Sequence, residues 1–324
     1  MRTRKLGFTD LELTVVGLGA WAIGGSGWKF AWGAQDDNQS IAAIRRAVKL
    51  GINWIDTAAV YGIGHSEKVV GRALKDIGTE VLVATKCGRR EDSQGELYGD
   101  LRPKSVRQEC EASLKRLQVE RIDLYQIHWP IPDEQIEDAW GEISKLVGEG
   151  KVRYAGVSNF SVEQMKRLLP IHPIASMQPP YSMLRPEIES AFDFCRLQGI
   201  GVVAYSPMEC GLLTGAFDRQ RISSLPSDDW RRKNPRFCNP DVTANLALVE
   251  QLETIARKIG ITRAQFAIAW VLRRDEVTAA IVGARRPSQI EETAPAADVL
   301  LSRKILDEVD ELLAARKERL GRTA

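Results

Sequence analysis

Short, almost wholly apolar runs recur along the chain, each followed by a stretch in which apolar residues return every three or four positions. An N-terminal hairpin is expected first. Strand candidates then fall at Val16–Gly19, Gly51–Asp56, Val81–Thr85, Ile122–Ile127, Val152–Val157, Ile174–Gln178, Gly201–Tyr205 and Thr278–Val282. Runs that do not alternate in polarity suit strands covered on both faces, and eight of them fit the closed parallel sheet of a (β/α)8 TIM barrel of α/β class. Between them the text predicts helices. Ile41, Ile44 and Val48 share a face ahead of Gly51, a suitable helix terminus, and Pro103 opens a pattern carrying Val106, Cys110, Leu114 and Leu117. Ser161 with Gln164, and Thr262 with Gln265, fit capping boxes. Ile305, Val309, Leu312 and Leu313 gather on one side of Ser302 to Arg319, which predicts a C-terminal helix packed on the barrel. The expectation is one barrel domain over residues 1–324.

One interval resists this rhythm. Between Tyr205 and Leu246 the text GLLTGAFDRQRISSLPSDDWRRKNPRFCNPD mixes glycine, proline and charge, and reads as a long βα excursion. Loops of this length usually have a task, so a mobile cover over a ligand is the expected role. A rival fold is offered by VVGLGAWAIGG, where Gly17, Gly19 and Ala22 match GxGxxA and Asp36 or Asp37 stands where a dinucleotide-binding fold places a ribose-binding acid. Such a motif should enter a helix promptly. Here Gly24, Gly25 and Gly27 are interspersed with bulky aromatics, which favours a barrel strand followed by a glycine-bearing loop.

Composition narrows the function classes. Forty-five Lys and Arg against forty-three Asp and Glu give a formal charge of +2 with no long block of either sign, so nothing points to nucleic acid. The densest basic spot outside the termini, Arg231-Arg232-Lys233, reads as a solvated loop, with contact to an anionic ligand as the alternative. The start of the chain lacks a signal peptide's apolar segment, and no apolar run approaches a membrane span. Five scattered cysteines without a CxxC pair suit a reducing cytoplasm and argue against a structural disulfide or zinc cluster. A cytoplasmic protein without metal is therefore expected.

Four reactive side chains, Asp56, Tyr61, Lys86 and His128, follow three of the apolar runs. If those runs are adjacent barrel strands, the four converge at one end. Tyrosine is a poor proton donor in isolation, with an ordinary pKa near 10. A nearby lysine ammonium is expected to lower it, an aspartate to anchor that lysine, and a histidine to orient a carbonyl oxygen. Together the set suits protonation of a carbonyl oxygen as hydride reaches the carbon. Each residue alone has a structural explanation: a cap, a half-buried ring, a snorkelling amine.

Here the chain resembles the aldo-keto reductase family over nearly its whole length, in GINWIDTAAVYGIGHSEKVVGRAL, VLVATKCG and ERIDLYQIHWP. The resemblance implies a TIM-type barrel, hydride transfer between NADPH and a carbonyl without a metal, and the family's aspartate, tyrosine, lysine and histidine roles for Asp56, Tyr61, Lys86 and His128. It extends into GVSNFS, MQPPYS and VVAYSPMECGLLTG, which implies that Ser158, Asn159 and Gln178 hold the nicotinamide carboxamide and that Tyr205 stacks on its ring. Ser206 and the stretch holding Met208, Gly211 and Leu213 would approach the phosphate-bearing middle of the cofactor. IVGARRPSQIEET resembles the adenosine-end motif, implying contacts from Gly283, Ala284, Arg285, Arg286, Gln289, Glu292 and Thr293. Gln289 and Thr293 depart from the arginine and asparagine frequent at those places. Arg285 or Arg286 would compensate, so NADP(H) is favoured, with NAD(H) as the alternative.

Trp21, Trp28, Trp32 and Trp129 flank the inferred pocket, and packing of the surrounding loops is their plainer explanation. Met208 and residues 218–240 are expected to set the opening. The resemblance is strongest to bacterial members that reduce aldehydes and short sugar-like carbonyls. The expected activity is NADPH-dependent reduction of a small aldehyde or hydroxyaldehyde, reversible toward the alcohol, by a monomer. The alternatives are an NAD-preferring sugar or polyol dehydrogenase and a nucleotide-sensing binding subunit.

Overall fold

The computed structural model describes residues 1–75, 77–227 and 229–321. Eight parallel strands close into a barrel in chain order: β1 (Val16–Gly19), β2 (Trp54–Asp56), β3 (Leu82–Cys87), β4 (Ile122–Ile127), β5 (Val152–Ser158), β6 (Ser176–Gln178), β7 (Gly201–Ala204) and β8 (Val277–Gly283). β8 returns to pair with β1, bringing Gly283 opposite Gly19. All eight expected strands are present. β3 runs past Thr85 to include Lys86 and Cys87, and β2 is shorter than its apolar run because Gly51, at φ +90°, and the two residues after it serve the turn.

A strand alternates its side chains between two faces, and that period decides what lines the barrel. Trp54, Ala84, Leu124, Val203, Ala279 and Ile281 form an inner apolar layer, joined by Leu6, Leu11 and Leu13. Those leucines belong to the expected N-terminal hairpin, Thr3–Lys5 paired with Glu12–Thr14, which plugs the floor of the barrel. The Trp54 indole donates to Thr14 O at 2.9 Å and ties plug to wall. Two residues on, the same inward face carries Asp56 after Trp54, Lys86 after Ala84 and Gln126 after Leu124. Apolar side chains therefore seal one end, and the polar ones stand above them at the C-terminal rim.

Glycines of the first strand serve packing. A Cβ on Gly17 would stand 2.0 Å from the Trp54 ring, and one on Gly19 would meet Ile281 at 2.6 Å. The acids that might have read as ribose ligands have other partners. Asp36 caps the Asp37–Lys49 helix by accepting from Gln39 N, while Asp37 holds His65 at 2.8 Å and Arg72 at 2.9 Å. The GxGxxA match is thus a barrel strand, and the dinucleotide-motif alternative is set aside.

The helix signals hold at their boundaries. Both capping boxes form, at Ser161/Gln164 and Thr262/Gln265. Pro103 begins the Pro103–Leu117 helix, which buries Val106, Cys110 and Leu117. The C-terminal helix, Arg303–Gly321, buries Val309 and is pinned to the Asp241–Lys258 helix by Arg316 Nε donating to Asn245 Oδ1 at 2.7 Å. The excursion after β7 holds short helical turns at Glu209–Thr214, Arg219–Ser223, Trp230–Lys233 and Pro235–Phe237. A second hairpin, Arg89–Glu91 with Leu97–Gly99, follows β3 and was not anticipated.

Candidate active site

Asp56 and Lys86 meet inside the barrel, Lys86 Nζ donating to Asp56 Oδ1 at 2.6 Å and to Thr57 O at 2.8 Å. Both side chains are buried, as their inward register requires. The Lys86 ammonium lies 5.2 Å from the centre of the Tyr61 ring, and that ring meets the His128 imidazole edge-on at 5.7 Å. Tyr61 and His128 remain half-buried, at the open side of the cluster. The four sequence-predicted residues therefore share one place.

Their electrostatics differ from the expectation in one respect. Burial and the Asp56 carboxylate push the Tyr61 phenol well above its ordinary range. The Lys86 charge, matched at 2.6 Å by Asp56, does not outweigh these effects, and the net shift of Tyr61 is upward. Burial also lowers Lys86, against the pull of Asp56. His128 is held well below its ordinary value by burial and by the charges of Lys86 and Arg89, so the imidazole is neutral at physiological pH. A neutral ring keeps one N–H to donate.

A polar ring continues around the rim. Gln178 Nε2 donates to Asp56 Oδ2 at 2.8 Å, and Ser158 Oγ donates to Gln178 O at 2.9 Å. Asn159 Nδ2 donates to His128 O at 2.9 Å and to Ser158 Oγ at 3.0 Å, while its Oδ1 accepts from the Tyr205 hydroxyl at 2.8 Å. Asn159 and Ser206 sit in left-handed backbone, at φ 64° and 56°. Strained positions of this kind concentrate at functional sites. Gln126 was missed by sequence reasoning. Its Oε1 accepts from Gln178 at 3.3 Å and its buried Nε2 has no partner among the described residues.

The aromatic residues form a wall on one side. Trp21 stacks on Tyr61 at 6.3 Å, packs edge-on against Trp32 at 5.2 Å and stacks on Trp230 at 5.3 Å. Trp28 stands 6.1 Å from Tyr61. The Trp21 loop is brought this close by glycine: a Cβ on Gly62 would lie 2.1 Å from Gly24 O. Trp129 is 39% exposed and makes no ring contact with these side chains among the described residues. Trp230 joins the wall, supplied by the excursion that hydropathy alone left undefined. Next to it, Arg231 grips Asp229 through Nε at 3.0 Å and Nη2 at 2.6 Å and stacks over Trp32 at 4.7 Å. That arginine is neither solvated nor free for an anion, because a carboxylate and an indole already occupy it.

The remaining predicted contacts divide. Met208 is half-buried against the core and Leu213 is fully buried in it, so Leu213 offers only backbone to a ligand; Gly211 turns the chain at φ 93°. Gly283 is exposed at the end of β8. Arg285 is committed to the first loop: Nε donates to Gln35 Oε1 at 2.6 Å and Nη1 to Trp32 O at 3.3 Å, while its backbone N–H donates to Gln289 Oε1 at 2.8 Å. Arg286 is exposed, and among the described residues its Nε donates to Ser288 Oγ alone, at 3.2 Å. Thr293 is buried and bonds back to Gln289 O at 2.9 Å, and Glu292 is exposed, its backbone carbonyl accepting from Gln265 at 2.7 Å.

Behind Lys86, Glu109 Oε1 accepts from Gly88 N at 3.2 Å, and burial pushes the carboxyl up to about 8 from its ordinary 4.5. A raised folded-state pKa means that the protonated form stabilises the fold. That contribution is full below about pH 4.5 and is lost as pH rises through about 8. Glu109→Gln is therefore expected to gain on the wild type between pH 5 and 9, by on the order of 2 kcal/mol after allowance for partial exposure. Thermal unfolding at pH 5, 7 and 9 checks this, and a pH-independent gap would contradict it.

Comparisons with known proteins agree with this geometry. Residues 15–314 match the sequence model of the Aldo/keto reductase family. The chain is 37% identical to Aldo-keto reductase YhdN of Bacillus subtilis over 295 residues, covering 90% of this chain and 87% of that protein. It is 34% identical to the NADH-specific methylglyoxal reductase of Escherichia coli, covering 93% and 95%. The solved glycerol dehydrogenase AKR11B4 from Gluconobacter oxydans superposes with a TM-score of 0.88 at 39% identity, covering 97% of this chain and 95% of that one. With an eight-stranded barrel, a buried Asp56–Lys86 pair beneath Tyr61 and His128, and a family match across most of its length, the chain belongs to the aldo/keto reductase family.

Proposed function

We propose that the protein reduces small aldehydes or hydroxyaldehydes with NADPH, reversibly; the methylglyoxal reductase and glycerol dehydrogenase names among its relatives support a short carbonyl or alcohol as the substrate. The observation that carries this reading is the Asp56–Lys86–Tyr61–His128 cluster at the open end of the barrel. The donor set suits a nicotinamide nucleotide. Ser158, Asn159 and Gln178 line one arc of the rim with amide and hydroxyl groups, and the chemistry of a carboxamide is to need both acceptors and donors. The buried indole N–H groups of Trp32 and Trp230 have no acceptor among the described residues, and they border the seam between the first loop and the excursion. Ribose hydroxyls or a diphosphate are the chemistry that would satisfy them.

When bound, the nucleotide supplies a hydride to the carbonyl carbon or accepts one from the alcohol. The chain's own residues handle the oxygen. Tyr61, kept protonated by burial, gives its phenolic proton to the carbonyl oxygen, and the Lys86 ammonium lies near enough to stabilise the phenolate left behind. His128, neutral, donates a hydrogen bond that orients the oxygen. Trp21 and Trp28 exclude water from one side of Tyr61.

The preference for NADP(H) rests on Arg286, since Arg285 is already bonded to Gln35 and Trp32. A second reading, NAD-dependent oxidation of a polyol, draws support from that commitment and from the NADH-specific and glycerol dehydrogenase names among the relatives. Fluorescence titration with NADPH and NADH, followed by turnover of methylglyoxal, glyceraldehyde and glycerol, decides between them. Tighter NADPH binding that falls about tenfold in Arg286→Ala, with NADH unaffected, is expected. Tighter NADH binding in the wild type would favour the polyol reading.

A further inference from the structure

We propose that Gln126 is a positioning residue for the nicotinamide, fixing the Gln178 amide so that its carbonyl oxygen is offered to the amino group of the cofactor's carboxamide. This rests on the nucleotide-dependent reductase reading above and gives a task to a residue outside the Asp56–Tyr61–Lys86–His128 cluster.

Gln126 stands on the inner face of β4, level with Lys86 on β3 and with Gly156 on β5. Gly156 is level in turn with Ser176 on β6. The glycine is the gap in that row. A Cβ on it would stand 2.3 Å from Ser176 Oγ and 3.1 Å from Gln126 Cγ, so its absence lets Gln126 cross β5 and reach β6. There Gln126 Oε1 accepts from Ser176 Oγ at 3.4 Å and from Gln178 Nε2 at 3.3 Å. Two converging donors settle which end of the Gln126 amide points that way. Turned over, its Nε2 would face Gln178 Nε2, donor against donor.

The consequence falls on Gln178. Its main-chain oxygen accepts from Ser158 Oγ at 2.9 Å and from Asn159 N at 3.2 Å, which holds the residue in place at the end of β6. Its Nε2 carries two hydrogens, and Asp56 Oδ2, at 2.8 Å, and Gln126 Oε1 take one each. Of this amide only Oε1 is left. It accepts from no group among the described residues and, unlike Gln126 Nε2, is not fully enclosed. With Asp56 alone the amide could pivot about a single bond, whereas the second acceptor fixes its plane. An oxygen held in this way suits a carboxamide N–H as its donor. Filling the barrel is the plainer role for Gln126, and it does not explain an amide there. Gln126 is fully buried and its Nε2 has no partner among the described residues, a cost that methionine or leucine would not carry.

The test measures binding to the full-length protein by quenching of tryptophan fluorescence. NADP+ and NAD+ are each compared with their 3-acetylpyridine counterparts, which have a methyl group where the carboxamide has its amino group. The wild type is expected to bind the natural nucleotide about tenfold more tightly than its counterpart, in keeping with one hydrogen bond. Gln126→Met and Gln126→Leu, which lack an acceptor, should each narrow that ratio to within threefold by weakening the natural nucleotide alone. Gln126→Glu keeps an acceptor oxygen in either protonation state and should retain the ratio. In a Gln178→Met background, Gln126→Met should change neither ligand further, because the amide it acts on is gone. An unchanged ratio in the apolar variants overturns the proposal. So does an equal loss on both ligands, or an additive loss in the double variant, either of which would make Gln126 a packing residue. A wild type that binds the natural nucleotide no better than its counterpart overturns it too. If the wild type binds none of the four, the nucleotide-dependent reading itself fails, and this proposal with it.

Discussion

Tyr61→Phe is expected to lower carbonyl reduction by about 10²- to 10⁴-fold, the range associated with loss of a positioned general acid. The ring stays, so its stacking against Trp21 and its edge contact with His128 persist, and only the hydroxyl is removed. Nucleotide binding should change little, because the polar groups on Ser158, Asn159 and Gln178 bond to one another and to Asp56, His128 and Tyr205 without using Tyr61. Single-turnover reduction monitored at 340 nm separates the two effects. The pH dependence has a definite sign. A phenol whose pKa is raised stays protonated as pH climbs, so reduction by the wild type should show no loss attributable to this group from pH 6 to 9. A pKa lowered by Lys86 would instead cut reduction within that interval. Near-normal turnover by Tyr61→Phe would remove Tyr61 as the proton donor.

Lys86→Met carries the second large effect, on stability as well as turnover. It leaves Asp56 buried with its remaining hydrogen bond from Gln178 and without its cation, an arrangement that typically costs about 3–5 kcal/mol. Turnover should fall at least a hundredfold, since the charge facing the phenolate is gone. A folding defect alone could produce the same loss, so the informative variant is the double substitution Asp56→Asn with Lys86→Met. With both charges removed, chemical denaturation should show most of the lost stability regained while turnover stays low. Recovery of activity together with stability would mean that the pair only supports the fold. Failure of the double variant to regain stability would show that packing, not the stranded carboxylate, dominates the cost.

Much of this architecture was legible from local rules. Two capping boxes, a proline at a helix start and glycine after a helix end each act within four residues, and each was found in place. Eight apolar runs implied eight strands because a strand buried on both faces has no use for alternating polarity. The spacing of two between Trp54 and Asp56, and between Ala84 and Lys86, then placed apolar floor and polar rim on one inner face. The candidate site was visible to the same extent, as reactive residues at the ends of runs that had to be buried.

What escaped was whatever depends on partners distant in sequence. Trp230 looked like one aromatic in a charged loop until the fold laid it on Trp21, more than two hundred positions earlier. Arg285 and Arg286 were interchangeable as letters, and only the approach of Gln35 and Trp32 separated the bound guanidinium from the exposed one. The direction of the Tyr61 shift belongs to the same class. By itself the sequence determined the eight-stranded barrel and the helix starts at its capping boxes, because period, capping and turn chemistry are short-range. Tertiary structure alone decided which charges are matched, as that of Arg285 is, and which, like that of Arg286, stay exposed, because solvation and ion pairing depend on what the completed fold brings within a few ångströms.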